Sequence, residues 1–333
     1  MKMNSSPLSQ NRRPVFVVGS PRSGTTLLYH MILSAGNFAV YRTESNVFNL
    51  LMPRFGDLRV LRNRRALMKV WLGSKLFTRS GLEAQDIEEK VLKECRTAGD
   101  FLRIVMGEMA RKQGVERWAD ATPDHLLYLL AIKREIPEAL VVHILRDGRD
   151  VALSLDKQGW IRPLPWDRGN SVLVAGLYWQ WIVNKGREQR HLLGANYTEI
   201  HFEDLIENPR PVLAKLGQFI GHDLDYDRIL KVGIGSVSDP NTSFRPGSDN
   251  KKFNPVGRWR KNFAPQQLAV FEGLAGETLQ NLGYELATKG LQSRTPGWKG
   301  MRSAYEGMFN SKLWLKQNTP LGKILISDDL SWL

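Results

Sequence analysis

Apolar and polar positions along the 333-residue chain form two kinds of segment. Short runs rich in β-branched residues predict strands at 15–18, 140–145 and 197–202, with weaker candidates at 38–41 and 117–119. Apolar residues at helical spacing predict helices over about 25–35, 57–79, 83–113, 124–135, 148–159, 170–192, 209–220 and 266–282. Strands separated by helices are typical of α/β proteins, so we expect a central parallel sheet flanked by helices.

The chain shows no internal repeat, and it is interpreted as one continuous architecture. We expect a polar N-terminal leader at 1–13, a single domain at 14–286 and a C-terminal extension at 287–333. The extension contains Trp298, Trp314 and Trp332 and is expected to pack on the domain or to form an oligomer contact. Residues 234–258 are rich in Gly, Ser, Asn and Pro, and predict a long functional or disordered loop.

The most specific motif follows the first predicted strand and opens the next helix. Gly19 and Gly24 allow a tight turn there, and the free N–H groups of the helix N-terminus suit a phosphate. The spacing is that of the phosphate-binding loop of kinases and NTPases, but Thr25 replaces its lysine, which argues against ATP or GTP hydrolysis. The candidate anion contacts are Pro21, Arg22, Ser23, Gly24, Thr25 and Thr26.

Three further motifs carry groups that suit a nucleotide. Arg146 ends the predicted strand 140–145 and Ser154 follows eight residues later on a helix, so the two side chains can converge on one anion. Phe202 ends the predicted strand 197–202, just before an acidic turn and a helix. The segment Gly257-Arg258-Trp259-Arg260-Lys261 closes the long loop, and its cations and indole suit a phosphate and an adenine.

Together these motifs span about residues 14–284 and resemble those of sulfotransferases that use 3′-phosphoadenosine 5′-phosphosulfate (PAPS). The resemblance is to the bacterial, tyrosylprotein and carbohydrate branches of that family. It implies a three-layer P-loop-like fold and transfer of a sulfuryl group from PAPS to an acceptor hydroxyl, with the bisphosphate PAP as product and no metal. It also implies that the loop at 21–26 holds the 5′-phosphosulfate, that Arg146 and Ser154 hold the 3′-phosphate, and that Phe202 and residues 257–259 contact the nucleotide.

Sulfuryl transfer needs a base for the acceptor proton and a cation at the leaving phosphate. Arg22 is the candidate cation. Glu44, 22 residues further on, is the candidate base, since the resemblance places a glutamate in a similar position. His125 is the rival base, although it lies two residues beyond the position that the family pattern indicates. The chain also departs from the family at Ala121, where many members have lysine.

The net charge of +13 is concentrated in residues 1–80, which hold thirteen basic and two acidic side chains. Most of the excess lies between Arg42 and Arg79. This stretch includes a basic amphipathic segment at 57–72, which suits an acidic substrate, an anionic lipid surface or plain packing with a solvated face. We expect an acceptor that is acidic or lies on an anionic surface, with no nucleic-acid partner and a possible homo-oligomer.

Two other functional classes remain open from the sequence. A P-loop kinase or NTPase explains the loop alone, and a basic module for nucleic acid or membrane surfaces explains only the charge. No apolar run approaches the length of a transmembrane helix or of a signal-peptide core, so we expect a cytoplasmic protein.

Overall fold

The structure is a computed structural model that describes residues 12–237, 254–288 and 296–321. Its sheet has four parallel strands, β1 (Val15–Val18), β2 (Ala119–Asp120), β3 (Leu140–Leu145) and β4 (Tyr197–His201), in the order β2-β1-β3-β4. Helices cover both of its faces, so the predicted α/β fold with a central parallel sheet is confirmed.

Helices make up most of the rest of the described chain. The α-helices are α1 (Thr25–Ser34), α2 (Met52–Phe55), α3 (Leu61–Leu72), α4 (Lys75–Ser80), α5 (Ala84–Glu94), α6 (Ala98–Gln113), α7 (Leu129–Glu135), α8 (Gly148–Gln158), α9 (Ser171–Glu188), α10 (Arg190–Leu193), α11 (Phe202–Glu207), α12 (Pro209–Ile220), α13 (Tyr226–Val232), α14 (Trp259–Asn262), α15 (Pro265–Asn281) and α16 (Pro296–Asn318). A π-helix spans Val47–Leu51, and 3₁₀ helices span Pro123–Tyr128, Pro165–Asn170 and Gly194–Asn196.

The side chains of β1 show why the sheet is buried on both faces. Phe16 and Val18 join a large core that includes α6, α9 and α16, whereas Val15 and Val17 join a smaller core formed with α1 and α12. All four side chains are fully buried. Such unbroken apolar runs are characteristic of parallel strands covered by helices, and they place the strand ends at a protected edge.

Two of the predicted helices are broken in the structure. The segment 57–79 forms α3 and α4, because the Ser74 hydroxyl accepts the Phe77 N–H at 3.3 Å and starts a new helix. The segment 83–113 forms α5 and α6, since Cys95 is extended and Thr97 and Asp100 cap the start of α6 reciprocally. In both cases a local cap outweighs the continuous apolar periodicity.

Other boundaries also differ from the sequence prediction. The segment 38–41 is not a strand and makes a single bridge, Phe38 to Arg117. Phe202 begins α11 instead of ending β4. Residues 124–135 start with a 3₁₀ turn, and the helix predicted at 170–192 ends at Glu188. Within the long loop predicted at 234–258, residues 238–253 lie outside the described residues.

The C-terminal extension contains the 23-residue helix α16, which packs against α9. The Trp181 indole N–H donates to Asn310 Oδ1 at 2.9 Å, and the Trp181 and Phe309 rings lie 5.3 Å apart between centroids. Trp298 is partly buried against the same core and Trp314 is exposed, whereas Trp332 lies outside the described residues. None of the helices in the described ranges is long and apolar enough to cross a bilayer.

Candidate active site

The carboxyl ends of β1, β3 and β4 meet at one edge of the sheet, and the predicted phosphate loop crosses that edge. The loop lies directly on β3, because a Cβ atom at Gly19 would stand 2.7 Å from the Ile144 carbonyl oxygen. It also lies on α11, because a Cβ atom at Gly24 would stand 2.3 Å from the Phe202 ring. Both glycines therefore allow approaches that any side chain would prevent.

The loop backbone exposes donors in the way that an anion site requires. Arg22 and Gly24 adopt φ angles of 73° and 97°, and the Ser23 N–H donates to the Ser20 carbonyl at 3.1 Å. Gly24 caps α1 without a side-chain hydrogen bond, so the first amides of α1 are not satisfied by a capping side chain. These amides and the helix dipole favour a negatively charged group at this point.

Arg22 points from the loop toward α8 and the residues that follow it. Its Nε donates to Ser154 Oγ at 3.0 Å, and its guanidinium carbon lies 5.6 Å from the centre of the Trp160 ring. Burial lowers the pKa of Arg22. The structure thus brings together the loop cation and Ser154, two residues that the sequence assigned to separate motifs.

Arg146 fastens the loop to the segment that returns after residue 253. Its two terminal nitrogens donate to the carbonyl oxygens of Arg22 and Pro255, each at 2.8 Å. Its guanidinium lies over the Phe202 ring, 4.5 Å from the centroid. Its buried Nε has no hydrogen-bond partner among the described residues. One donor is therefore left for a further ligand at the point where the three segments meet.

The cations of this site lie close enough to repel one another. Burial lowers the pKa of Arg146. The negative charges of Asp150 and Glu203 oppose that shift, whereas the positive charges of Arg22 and Arg258 add to it. A buried arginine with two further guanidiniums close by is typical of a site that binds an anion.

Asp150 anchors the basic segment that sequence placed at the nucleotide. Its two carboxylate oxygens accept the N–H groups of Gly257 and Trp259, each at 2.8 Å. The Trp259 side chain is 4% exposed, and the Arg149 guanidinium lies 3.7 Å from its ring centre. The predicted contact of the Trp259 indole with an adenine does not fit this arrangement, because the ring is buried in the core. Its backbone holds the segment, and Gly257 and Arg258 stay candidates for ligand contact.

Glu44 stands at the same edge, between the end of β2 and the π-helix. Burial raises the pKa of its carboxyl to about 8, and the negative charges of Asp124 and Asp120 add to the shift. The next residues are held firmly, since the Asn46 N–H donates to Thr122 Oγ1 at 3.3 Å. A carboxylate whose pKa lies near neutrality suits general-base work.

His125 is fully buried beneath this segment and does not fit the rival role of base. Its Nδ1 lies 3.0 Å from Asp120 Oδ2, and its Nε2 accepts the Phe48 N–H at 3.2 Å. Because the amide must be the donor, the ring proton lies on Nδ1 and the lone pair of Nε2 is occupied. His125 therefore positions the first turn of the π-helix at Phe48, four residues beyond Glu44.

Sequence reasoning missed two residues of this edge. Trp160 follows the Gly159 cap of α8 and lies beside Arg22, and Asp124 interacts electrostatically with Glu44. Asp124 is adjacent to His125 in the chain, so the nearby acids Asp120 and Asp124 could have been identified from the sequence as candidate site residues. Nothing in the sequence indicates the contact of Trp160 with Arg22, because it depends on how α8 lies against the loop.

The close contact at Gly24 makes a stability prediction. In Gly24→Ala the added Cβ meets the Phe202 ring while the backbone keeps a positive φ, so we expect a loss of about 2–5 kcal/mol in urea denaturation. Gly36→Ala is the matched control, since its φ is 88° but no described atom lies within 4 Å. It should lose only about 1–2 kcal/mol. Equal losses in the two variants would show that the loop does not rest on Phe202.

Two buried polar atoms near the start of α1 suit a phosphorylated ligand. Ser23 Oγ and Arg146 Nε are buried without partners in the described ranges, beside the amides at the start of α1. No group of three or more His, Cys, Asp or Glu side chains that could hold a metal occurs among those residues.

Comparisons with known proteins bear on this geometry. Residues 14–226 match the sequence profile of the sulfotransferase family. An uncharacterized protein from Aquifex aeolicus (strain VF5) is 27% identical over 226 residues; the match covers 66% of this chain and 27% of that protein. The chain thus spans about a quarter of the length of this curated relative.

Two solved sulfotransferase domains have a similar fold. The domain from the Synechococcus PCC 7002 olefin synthase superposes with a TM-score of 0.53 at 19% identity, over 85% of this chain and 98% of the other. The domain from the curacin biosynthetic pathway gives 0.52 at 16% identity, over 82% and 98%. Since the profile covers more than half of the chain, including the loop, Glu44, Arg146 and β4, the chain belongs to the sulfotransferase family.

Proposed function

We propose that the protein transfers the sulfuryl group of PAPS to an acceptor hydroxyl, with Glu44 as general base and Arg22 at the leaving phosphate. Sulfuryl transfer as a class follows from the family. One observation carries the proposal. Arg22 of the loop donates to Ser154 through its side chain and accepts from Arg146 through its carbonyl oxygen, at the sheet edge that also bears Glu44.

The donor is assigned from the charge and shape of the loop. Thr25 stands where a kinase would place its lysine, and it is buried against Gly19. The anion is therefore held by backbone amides and by Arg22, and a second phosphate by Arg146 Nε, Ser154 and Arg258. A nucleotide with phosphates at both its 3′ and 5′ positions matches these two groups of donors.

The residues divide the chemistry between them. Glu44 accepts the proton of the acceptor hydroxyl. At the same time the acceptor oxygen forms a bond to sulfur, and the bond from sulfur to the bridging phosphate oxygen breaks in line. Arg22 and the first amides of α1 stabilise the negative charge that develops on the leaving bisphosphate. Because position 121 is an alanine, Arg22 also takes the part that a lysine there would have near the bridging oxygen.

The raised pKa of Glu44 determines when it can work. The carboxyl must be ionised to accept a proton, and burial raises its pKa to about 8. At a given pH below that value only a fraction of the enzyme is active, but the ionised base is stronger than an ordinary carboxylate.

We expect a cytoplasmic location, and a homo-oligomer stays a prediction.

Calorimetric titration tests the donor assignment. PAP should bind tightly and without Mg²⁺, whereas ATP with Mg²⁺ should bind weakly, because the loop has no lysine for its terminal phosphates. A random oligonucleotide should not compete. Preference for ATP with Mg²⁺ would instead favour a kinase or NTPase, and strongly salt-dependent oligonucleotide binding would favour a nucleic-acid module. Transfer of radiolabelled sulfate from PAPS to a phenol then tests the reaction.

A further inference from the structure

A cavity of about 640 Å³ lies between α16, α9 and the residues that follow α8. That volume falls in the range that encloses a drug-sized organic molecule. One wall is formed by α16, which lies beyond the residues that match the family profile. The lining is mainly apolar and aromatic, and includes Tyr128, Trp160, Tyr178, Trp181 and Phe309.

Two contacts connect this cavity to the candidate active site. Trp160 lines the cavity, and its ring lies 5.6 Å from the guanidinium carbon of Arg22. Asn49 also lines it and donates to Asn46 Oδ1 at 2.9 Å, and the Asn46 side chain in turn donates to the Glu44 carbonyl oxygen at 3.3 Å. The cavity therefore lies beside both the proposed base and the proposed leaving-group cation.

The charged residues of the lining are unequal in number and position. Arg162, Lys312 and Lys316 are positive, whereas Asp124 is the one carboxylate among the described residues that line the cavity. Asp124 lies on the side of Glu44, while two of the cations come from α16. Arg162 and Lys312 are exposed to solvent, as expected for cations at the rim of an apolar cavity.

We propose that this cavity binds the acceptor, and that the acceptor is a hydroxyl compound with a flat, apolar body and an anionic group remote from the hydroxyl. The hydroxyl lies toward Glu44, the body contacts the aromatic lining, and the anionic group meets Lys312, Lys316 and Arg162. This assignment rests on the proposed function. It also places the cations that select an acidic acceptor on α16, whereas no residue of the basic segment 57–72 lines the cavity.

Equilibrium binding of two matched probes tests the cavity without relying on turnover. 6-Hydroxy-2-naphthoate and 2-naphthol have the same ring body, but only the first carries a remote carboxylate. With PAP at saturation, quenching of tryptophan fluorescence should show binding of the naphthoate about five- to tenfold tighter than binding of the naphthol at low salt, because the cations involved are partly exposed. Equal affinities, or binding of neither probe, would overturn the proposal.

Charge reversal on α16 supplies the second measurement. Lys312→Glu should remove the preference for the naphthoate, and the double variant with Lys316→Glu should reverse it. Lys215→Glu on α12 is the matched control, since α12 packs on the opposite face of the sheet, and it should keep the preference. A preference that survives the double change would place the naphthoate elsewhere.

The two proposals fail in different ways. Failure of PAP to bind in its own titration contradicts the donor assignment whatever the naphthoate does. PAP binding together with loss of the naphthoate preference in Lys215→Glu, or its persistence in the double variant, contradicts the cavity assignment alone. Circular dichroism spectra and melting curves of every variant confirm that a change in affinity does not reflect unfolding.

Discussion

Glu44→Gln should lower kcat for sulfuryl transfer by about 10²–10⁴-fold, while the affinity for PAP stays unchanged. The amide keeps the size of the side chain but cannot accept the acceptor proton. Steady-state rates with PAPS and a phenol, combined with calorimetric titration of PAP, measure the two quantities separately. Glu94→Gln on α5 makes the same chemical change at an exposed position and should have no effect. A variant at Glu44 that retains its turnover would remove this residue from the mechanism.

The pH dependence gives this prediction a second measurement. Since the base must be ionised, kcat/KM of the wild type should rise about tenfold per pH unit and level off above the pKa. That pKa is raised from 4.5 to about 8 in the folded protein. The residual activity of Glu44→Gln should lack this rise. A wild-type profile that levels off near pH 5 would contradict the raised pKa of the Glu44 carboxyl.

The ionisation of Glu44 should also affect the free energy of unfolding, which should fall as the pH rises while kcat/KM increases. Between pH 4.5 and about 8, Glu44 is protonated in the folded chain and ionised in the unfolded chain. Unfolding then releases a proton, so the wild type loses up to about 1.4 kcal/mol of unfolding free energy per pH unit as the pH rises. Glu44→Gln has no such loss. Its stability relative to the wild type should therefore increase across this interval and stay constant above it.

Arg22→Ala should lower kcat by about 10²–10³-fold, the scale found when one donor to a developing negative charge is removed. The variant loses the bond from Nε to Ser154 Oγ and the guanidinium beside Trp160. Arg22→Lys keeps the charge but not the planar fork, so its kcat should fall by about tenfold. Single-turnover rates with PAPS measure the chemical step directly. A loss of PAP affinity with kcat unchanged would make Arg22 a binding residue only.

Ser154→Ala separates positioning from charge in the same contact. It leaves the guanidinium of Arg22 intact but removes the oxygen that accepts from Nε at 3.0 Å. We expect a smaller fall in kcat than in Arg22→Ala. If the two falls are equal, the role of Arg22 depends on its orientation more than on its charge.

The sheet and the loop were predictable because both depend on local sequence. The β1 and β3 runs are short, rich in β-branched residues and mostly apolar on both faces, which favours strands of a covered parallel sheet, and Gly24 stands directly before the start of α1. Glu44 is the candidate base because the family resemblance places a glutamate in a similar position and because it is one of two acids in residues 1–80. The helix breaks at Ser74 and Thr97 could also have been predicted, because a serine and a Thr-x-x-Asp pair are typical N-caps and both interrupt a longer apolar periodicity.

The remaining features depend on packing between distant segments. His125 and Trp259 have residue types that suit catalysis and adenine binding, and only their burial in the structure assigns them to support. The cavity beside Glu44 needs α16 to meet α9, and the contacts of Phe309 and Asn310 that hold it there cannot be deduced from periodicity. Tertiary contacts of this kind decide which of several plausible polar groups faces a ligand.

The order of strands in the sheet has a consequence for synthesis of the chain. β1 precedes its neighbours β2 and β3, which begin at Ala119 and Leu140, and Phe202, on which Gly24 rests, comes later still. A nascent chain that ends at α7 carries the whole phosphate loop yet lacks the arginine and the aromatic ring that shape it. The loop is therefore completed only after Phe202 has been made, and nucleotide binding reports that the non-local strand pairing has succeeded.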